Sequence, residues 1–193
     1  MSTALWLFVA QAVLGAFDTL YYHEYRARLP ALPGGRVELL LHGARSLVYA
    51  LLFATLAHWR WGGALAILLF VLIALEIGIT LADFVVEDRV RRPLGGVFPG
   101  ERVTHALMGI IYGAALAFLV PVVWRWTSAP IGFAPLDADQ AIGPVDPIVA
   151  VLLPLFALGV ALSGLRDLGA ARGLGWCRWP WGRAAPVTSR RAS

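Results

Sequence analysis

Two glutamate–histidine pairs in this sequence have the residue types and the spacing to bind a metal ion. They are Glu38 with His42 and Glu101 with His105. Residues four apart lie on the same face of a helix, so each pair can present a carboxylate and an imidazole together. Imidazole and carboxylate ligands suit iron, manganese or zinc. The two pairs therefore indicate a metal site.

The pairs belong to an internal repeat with an offset of 63 residues. Residues 26–49, RARLPALPGGRVELLLHGARSLVY, align with residues 89–112, RVRRPLGGVFPGERVTHALMGIIY. The positions that the two copies share are mostly polar, and upstream of them Glu24 aligns with Glu87. A repeat of this kind indicates a duplicated structural unit. Each unit is therefore expected to supply one lone glutamate and one glutamate–histidine pair.

The composition indicates a membrane protein. Of the 193 residues, 59% are hydrophobic and 15% are charged, and the mean hydropathy is +0.72. Soluble domains are about 45–50% apolar and about 25% charged. The net charge of +4 comes from arginines in the loops and the tail, so we expect no nucleic-acid partner. The single cysteine, Cys177, excludes an intrachain disulfide and a cysteine-based metal site.

Five apolar runs are long enough to cross the roughly 30 Å of hydrocarbon in a bilayer. They cover about residues 4–22, 38–59, 63–86, 103–124 and 147–165. We predict an all-α integral membrane protein with five transmembrane helices, four of them a bundle of two tandem repeated helix pairs. This domain would span residues 1–168, with repeat one over about 13–57 and repeat two over about 76–120. Residues 169–193 would form a cytoplasmic tail rich in Arg and Trp.

The arginines predict the orientation of the chain. Most of them lie in the loops after the first and third helices and in the tail, whereas the opposite side carries Arg60 and Arg125. Loops rich in arginine stay in the cytoplasm. We therefore expect the N-terminus outside and the C-terminus in the cytoplasm, with a bacterial inner membrane as the location.

The same topology places the repeated polar residues at the cytoplasmic end of the bundle. The first and third helices end there, and the second and fourth helices begin there. Several carboxylates at one depth repel each other, so arginines, protons or a metal ion must balance them. Four glutamates and two histidines on four helices are the ligand set of a two-metal carboxylate site. The predicted ligands are Glu24, Glu38, His42, Glu87, Glu101 and His105.

This ligand set resembles that of the ferritin-like diiron carboxylate proteins, which include the membrane-bound alternative oxidases. Glu24 and Glu87 match the lone carboxylates of that family, and the two glutamate–histidine pairs match its paired ligands. Both copies here read Glu-x-x-x-His, where the family has Glu-x-x-His. The resemblance implies two irons and oxygen-dependent oxidation of a lipid-soluble substrate, such as a quinol, an acyl chain or an isoprenoid.

Further polar residues are candidates for supporting roles. Tyr49 and Tyr112 follow the two histidines by seven residues, which places them on the same helix face about 10 Å deeper. They are candidate redox-active or hydrogen-bonding groups. Asp83 shares a helix stripe with Glu76 and Glu87 and is a candidate ligand, acceptor or base. The residues that could orient ligands or a cofactor are Asp18, His23 and Arg45.

Other interpretations of the same residues remain open. Glu38 and Glu101 stand at helix starts, where a carboxylate is also favoured by the helix dipole. The repeated residues could form a structural network with arginines, or His42 and His105 could hold a haem. A zinc-dependent lipid hydrolase, with Asp83 as base, is the alternative enzyme. A non-catalytic subunit of a larger membrane complex is a further alternative, and a homodimer is a possible assembly.

Overall fold

The structure, a computed structural model, describes residues 1–136 and 144–180. The five helices are α1 Ser2–Phe17, α2 Arg36–Thr55, α3 Ala64–Val90, α4 Pro99–Trp126 and α5 Pro147–Ala171. Helix α1 continues without a break into a π-helical segment, Asp18–Arg26. Two short strands, β1 Trp59–Gly62 and β2 Gly132–Pro135, pair antiparallel. Single 3-10 turns cover Leu29–Ala31, Arg92–Leu94 and Gly175–Arg178.

All five helices are long and apolar enough to cross a membrane. Their outward faces carry large apolar side chains; Val85, for example, is 70% exposed and Ile110 is 69% exposed. In water such surfaces would be unfavourable, whereas acyl chains would cover them at no cost. The predicted fold class, an all-α protein with five candidate membrane spans, is confirmed.

The helices run further than the predicted spans, except that α2 ends at Thr55, before the predicted end at residue 59. The first span, with its π-helical segment, continues to Arg26, and α4 begins at Pro99. Proline fits this position because the first turn of a helix has no partner for a backbone N–H. Helix α5 continues to Ala171, into the predicted tail. The last part of that tail, residues 181–193, lies outside the described residues.

The two repeated helix pairs pack in equivalent ways. Helix α1 packs on α4, and α2 packs on α3, so exchanging the two pairs preserves these contacts. Helix α5 breaks this symmetry because it packs mainly on α2, with a smaller contact to α1. Glycines allow the close approach of α2 and α5: a Cβ atom on Gly164 would lie 2.8 Å from Ser46 Cβ and 3.0 Å from the Gly43 carbonyl oxygen.

The apolar core and the polar residues occupy opposite ends of the bundle. The main core, which includes Phe8, Phe53 and Leu119, fills the end next to the two strands. The loops 27–35 and 91–98 close the other end, which we call the arginine-loop end. A smaller apolar cluster there joins Leu29 and Leu39 to Cys177. Between these two clusters lie the buried charged side chains.

Candidate metal centre

A network of buried ionisable side chains lies near the arginine-loop end of the bundle. Charged groups inside a membrane protein are costly, and such a network is by default a candidate functional site. Its members come from all five helices and from the 91–98 loop. The buried members are Asp18, His23, Glu38, His42, Asp83, Glu87, Arg91, Glu101, His105 and Asp167.

Four of these side chains are arranged so that they could hold a metal ion. Asp18, His23, Glu101 and His105 each offer one ligand atom, and these atoms all lie within 4.8 Å of one another. We call these four residues the metal group. Asp18 Oδ2 lies 3.3 Å from His23 Nε2 and 3.2 Å from His105 Nε2, and His23 Nε2 lies 3.4 Å from Glu101 Oε1.

The local backbone explains how α1 supplies two of the four. In an α-helix, residues five apart point in different directions. The segment Asp18–Arg26 is π-helical, with turns closed over five residues, and Asp18 and His23 are both buried beside α4. Single π-helical turns often occur at functional sites. Glu101 and His105 come from the first two turns of α4 and share a face.

Unsatisfied polar atoms in the metal group fit a bound cation. Buried polar atoms almost always have hydrogen-bond partners. Among the residues that the structure describes, Asp18 Oδ1 and both ring nitrogens of His23 complete no hydrogen bond, although His23 Nε2 lies near the Asp18 and Glu101 carboxylates. An imidazole nitrogen and a carboxylate oxygen left in this state are suitable metal ligands, so the residues present fit a metal ion such as iron, manganese or zinc.

A single buried arginine joins the two repeated glutamates. Arg91 is fully buried, and it donates through Nε at 3.0 Å and Nη2 at 2.7 Å to Glu38 Oε1. The same Nη2 donates to Glu101 Oε1 at 3.3 Å. Glu101 also accepts a weak hydrogen bond from the backbone N–H of Phe98, at 3.4 Å, as the helix-cap interpretation predicts. Arg91 therefore balances charge next to the metal group.

The other predicted ligands are engaged with different partners. Glu24 forms a bidentate pair with Arg166, with Oε2 at 3.0 Å from Nη2. His42 Nδ1 lies 2.6 Å from Asp167 Oδ2. Both partners belong to α5. The six predicted ligands thus lie at the predicted end of the bundle, but only Glu101 and His105 belong to the metal group.

Glu87 contacts the ring nitrogen of His105 that points away from Asp18. Its Oε1 lies 3.4 Å from His105 Nδ1, while His105 Nε2 faces Asp18. A carboxylate on the second nitrogen of a ligating histidine fixes the ring orientation and makes the first nitrogen a better ligand. Glu87 is therefore a positioning residue in this arrangement.

The ring of His23 lies next to both His42 and His105, where a haem held by these two residues would have to bind. The ring centroid of His23 lies 4.7 Å from that of His42 and 6.4 Å from that of His105. A porphyrin held by the two predicted histidines would have to displace His23 from the metal group. The geometry therefore does not favour the haem interpretation.

The metal group borders a large cavity. The cavity has a volume of about 580 Å³, within the usual range for small-molecule sites, and all five helices line it. Asp18, His42, Arg45 and His105 lie at one end, and most of the remaining wall is apolar. Arg45 in turn contacts Asp83, with Nη1 3.4 Å from Oδ2. This arrangement suits a lipid-soluble molecule.

The cavity is accessible from the side of the bundle. Four residues of its wall, Ile77 and Leu81 on α3 and Gly109 and Gly113 on α4, are also exposed on the surface. Helices α3 and α4 contact each other less than they contact α2 and α1. A molecule dissolved in the bilayer could therefore reach the cavity between α3 and α4.

The sequence analysis missed two residues of the network, Arg91 and Asp167, and it also missed Arg166, the partner of Glu24. Arg91 had a signal, because it aligns with Arg28 in the repeat. The two positions are unlike, however, since Arg28 is exposed with a left-handed backbone, φ 51°, whereas Arg91 is buried. Arg166 and Asp167 lie outside the repeat, and their signal was a charged pair at the end of an apolar helix.

Carboxylates outnumber arginines in the network. Six buried carboxyl groups, those of Asp18, Glu38, Asp83, Glu87, Glu101 and Asp167, have two arginines among them, Arg45 and Arg91. The balance of positive charge must come from the three histidines, from other protons or from a metal ion.

Comparison with protein-family models, curated proteins and solved structures gives no match for this chain. The candidate metal centre therefore rests on its own geometry.

Proposed function

We propose that this protein is a membrane-embedded, metal-dependent oxidoreductase that acts on a lipid-soluble substrate bound in the cavity. The observation that supports this proposal is the position of the metal group. Its four ligand atoms lie within 4.8 Å of one another, and two of its residues, Asp18 and His105, also form the wall of the cavity. A ligand in the cavity would therefore lie beside the ion.

We propose iron as the ion, because two histidines with a carboxylate are the ligand set of non-haem iron oxygenases. Bound iron would supply one-electron redox chemistry and the activation of dioxygen. The geometry favours one ion over the two that the repeated ligands predict. A second ion would have to take Glu38 from Arg91, His42 from Asp167 or Glu24 from Arg166.

The chain's own residues have separable roles in this proposal. Asp18 and His105 bind the ion and face the substrate, while His23 and Glu101 complete the ligand set. Glu87 orients His105, and Arg91 holds Glu101 and balances its charge. The apolar wall of the cavity excludes water and binds the substrate through its hydrocarbon part.

Metal analysis of the purified protein tests the proposal. We expect about one iron per chain by mass spectrometry in mild detergent, and loss of that iron in an Asp18→Asn/His105→Gln variant. Glu24→Gln is the matched control, because Glu24 is a carboxylate of the same network outside the metal group. Helix content and size-exclusion behaviour would establish that each variant is folded. The absence of iron, manganese and zinc after supplementation with each would overturn the proposal.

Two other functions have specific support. Zinc fits the same four ligands, so one zinc per chain in place of iron would favour a lipid hydrolase. Arg91, buried between Glu38 and Glu101, supports a structural network in a non-catalytic membrane subunit. That function would be favoured by a protein that binds no metal and unfolds when Arg91 is replaced.

We further propose that the protein lies in a bacterial inner membrane with the arginine-loop end in the cytoplasm. The support is the uneven distribution of arginine between the two ends of the bundle. Reporter fusions at residue 1 and residue 193 test the orientation. A fluorescent protein that matures only in the cytoplasm should be bright at the C-terminus and dark at the N-terminus.

A further inference from the structure

The cavity contains a second polar site, halfway along the helices. It is formed by Gln11 on α1, Tyr49 on α2, Glu76 on α3 and Tyr112 on α4, all of which line the cavity. We call these residues the mid-bundle cluster. Tyr49 and Tyr112 follow His42 and His105 by seven residues, so the cluster lies about 10 Å along the helices from the metal group.

The hydrogen bonds of the mid-bundle cluster are incomplete. Glu76 Oε1 accepts from Thr80 Oγ1 at 2.7 Å, and Gln11 Nε2 donates to Tyr49 Oη at 3.4 Å. The hydroxyl groups of both tyrosines lie near the Glu76 carboxylate. Even so, Glu76 Oε2, Gln11 Oε1 and Tyr112 Oη complete no hydrogen bond within the described chain.

These atoms belong to side chains that water reaches poorly. Glu76 is 1% exposed, and Gln11 and Tyr112 are each 8% exposed. A buried polar atom without a partner is unfavourable, and a buried carboxylate without one is more unfavourable still. The apolar residues Ala12, Phe53, Ile77 and Leu116 surround the cluster in the cavity wall. A polar group in an otherwise apolar cavity is the arrangement that orients a bound ligand.

We propose that the mid-bundle cluster binds the hydroxyl group of a lipid-soluble alcohol or phenol whose hydrocarbon part lies in the cavity. A hydroxyl group both donates and accepts. It can donate to Glu76 Oε2 or Gln11 Oε1, and it can accept from Tyr112 Oη. A hydrocarbon would satisfy none of these atoms, and a fatty carboxylate would bring a second acidic group against Glu76.

Access to the cluster is open on the side of α4. Gly109 and Gly113 line the cavity one and two helical turns after His105. A Cβ atom on either glycine would meet nothing within 4 Å. Glycine at both positions leaves space between the bilayer and the cavity. A large side chain at Gly113 would extend into that space from a Cβ atom that meets no neighbour.

The binding of a hydroxyl group at this cluster requires no metal ion. As an assignment of the enzyme's substrate, however, the inference rests on the proposed function. In that case the hydroxyl would be held about 10 Å from the metal group, and the hydrocarbon part of the molecule would be presented to the ion.

The test compares an alcohol with its ether. Farnesol and farnesyl methyl ether have the same hydrocarbon chain, but the ether cannot donate a hydrogen bond. Their binding to the detergent-solubilised protein would be measured by native mass spectrometry and by thermal stabilisation. We expect farnesol to bind at least tenfold more tightly than the ether, because the ether cannot donate a hydrogen bond to the charged Glu76.

Two variants locate the site. Glu76→Met should reduce farnesol affinity about tenfold and bring it to that of the ether, and Tyr112→Phe should reduce it severalfold by removing one hydroxyl. If Glu76→Met does not fold, Tyr112→Phe decides the question alone. Gly113→Phe should block both compounds equally. Equal binding of alcohol and ether by the wild-type protein, no binding of either, or unchanged farnesol affinity in the folded variants would overturn the inference.

Removal of the metal separates this inference from the proposed function. The residues of the mid-bundle cluster lie outside the metal group. We expect protein stripped of metal with a chelator to bind farnesol as tightly as the untreated protein. A wild-type protein that binds farnesol but no metal would overturn the proposed function alone, whereas one that binds metal but not farnesol would overturn this inference alone.

Discussion

The two copies of the repeat have the same polar residues but engage them differently. In the first copy, His42 contacts Asp167 and Glu24 contacts Arg166, and both partners lie on α5. In the second copy, His105 and Glu101 face the π-helical segment of α1 and form the metal group with it. The fifth helix packs on α2 and has no counterpart on α4 within the described part of the chain. One added helix is therefore enough to make a duplicated site unequal.

This difference separates structural from chemical roles. In the first copy, α5 engages His42 and Glu24 in ion pairs, which fixes these two side chains. Beside the cavity, in contrast, atoms of Asp18, Glu76 and Tyr112 complete no hydrogen bond in the described chain, which makes them available to an ion or a ligand. A buried ion pair contributes little net stability, but removing one partner is costly.

The largest expected effect concerns the aligned arginines, Arg91 and Arg28. Arg91→Leu leaves Glu38 and Glu101 buried without their shared cation, so we expect a loss of about 3–5 kcal/mol of unfolding free energy. Arg28→Leu is the matched control at an exposed position and should cost less than about 1 kcal/mol. Unfolding in mixed micelles measures both. Equal effects would show that the two copies do not differ in this respect.

A smaller effect is expected where α5 meets the first copy. A side chain at Gly164 would collide with Ser46 and with the backbone of Gly43, so Gly164→Leu should destabilise the protein by about 2 kcal/mol. It should also separate Asp167 from His42. Gly159→Leu lies on the same helix where a Cβ atom meets nothing within 4 Å, and it serves as the control. The same unfolding measurement applies, and comparable losses in the two variants would contradict close α2–α5 packing as the cause.

The smallest expected effect compares the two lone glutamates of the repeat. Glu87→Gln weakens the support of His105, and we expect about a tenfold loss of metal affinity, or about 1.4 kcal/mol. Glu24→Gln removes the equivalent carboxylate of the first copy and should leave metal affinity unchanged. Competition with a chelator measures both affinities. A loss in Glu24→Gln as large as that in Glu87→Gln would indicate a site shared by both copies.

Part of this architecture was predictable because burial of charge in a membrane is so costly. Apolar runs of about 20 residues indicated the five helices, and the repeat indicated that its polar residues meet at one end. Their pairing was not predictable. Asp18 and His23 share a side only because the backbone there is π-helical, and α-helical spacing would have separated them.

The partners from α5 were hidden for a different reason. Arg166 and Asp167 lie outside the repeat, so no alignment relates them to Glu24 or His42. Only the packing of α5 on α2 brings them together. Likewise, the spacing of Glu38 and Glu101 suited metal ligands. In the structure, Arg91 donates hydrogen bonds to both carboxylates, and the sequence did not distinguish this arginine from an ion as their partner.

The small sheet at the far end of the bundle determines where the helices can separate. Strands β1 and β2 pair from Trp59 with Pro135 to Gly62 with Gly132, which ties the α2–α3 turn to the connection after α4. The Gly63 N–H donates to the Trp126 carbonyl at 2.9 Å, and the His58 ring contacts the Ala150 carbonyl at 2.9 Å. With that end fastened, we expect any separation of the two helix pairs to be smallest beside the sheet. It would be larger at the arginine-loop end, where it would widen the path of an ion to its ligands.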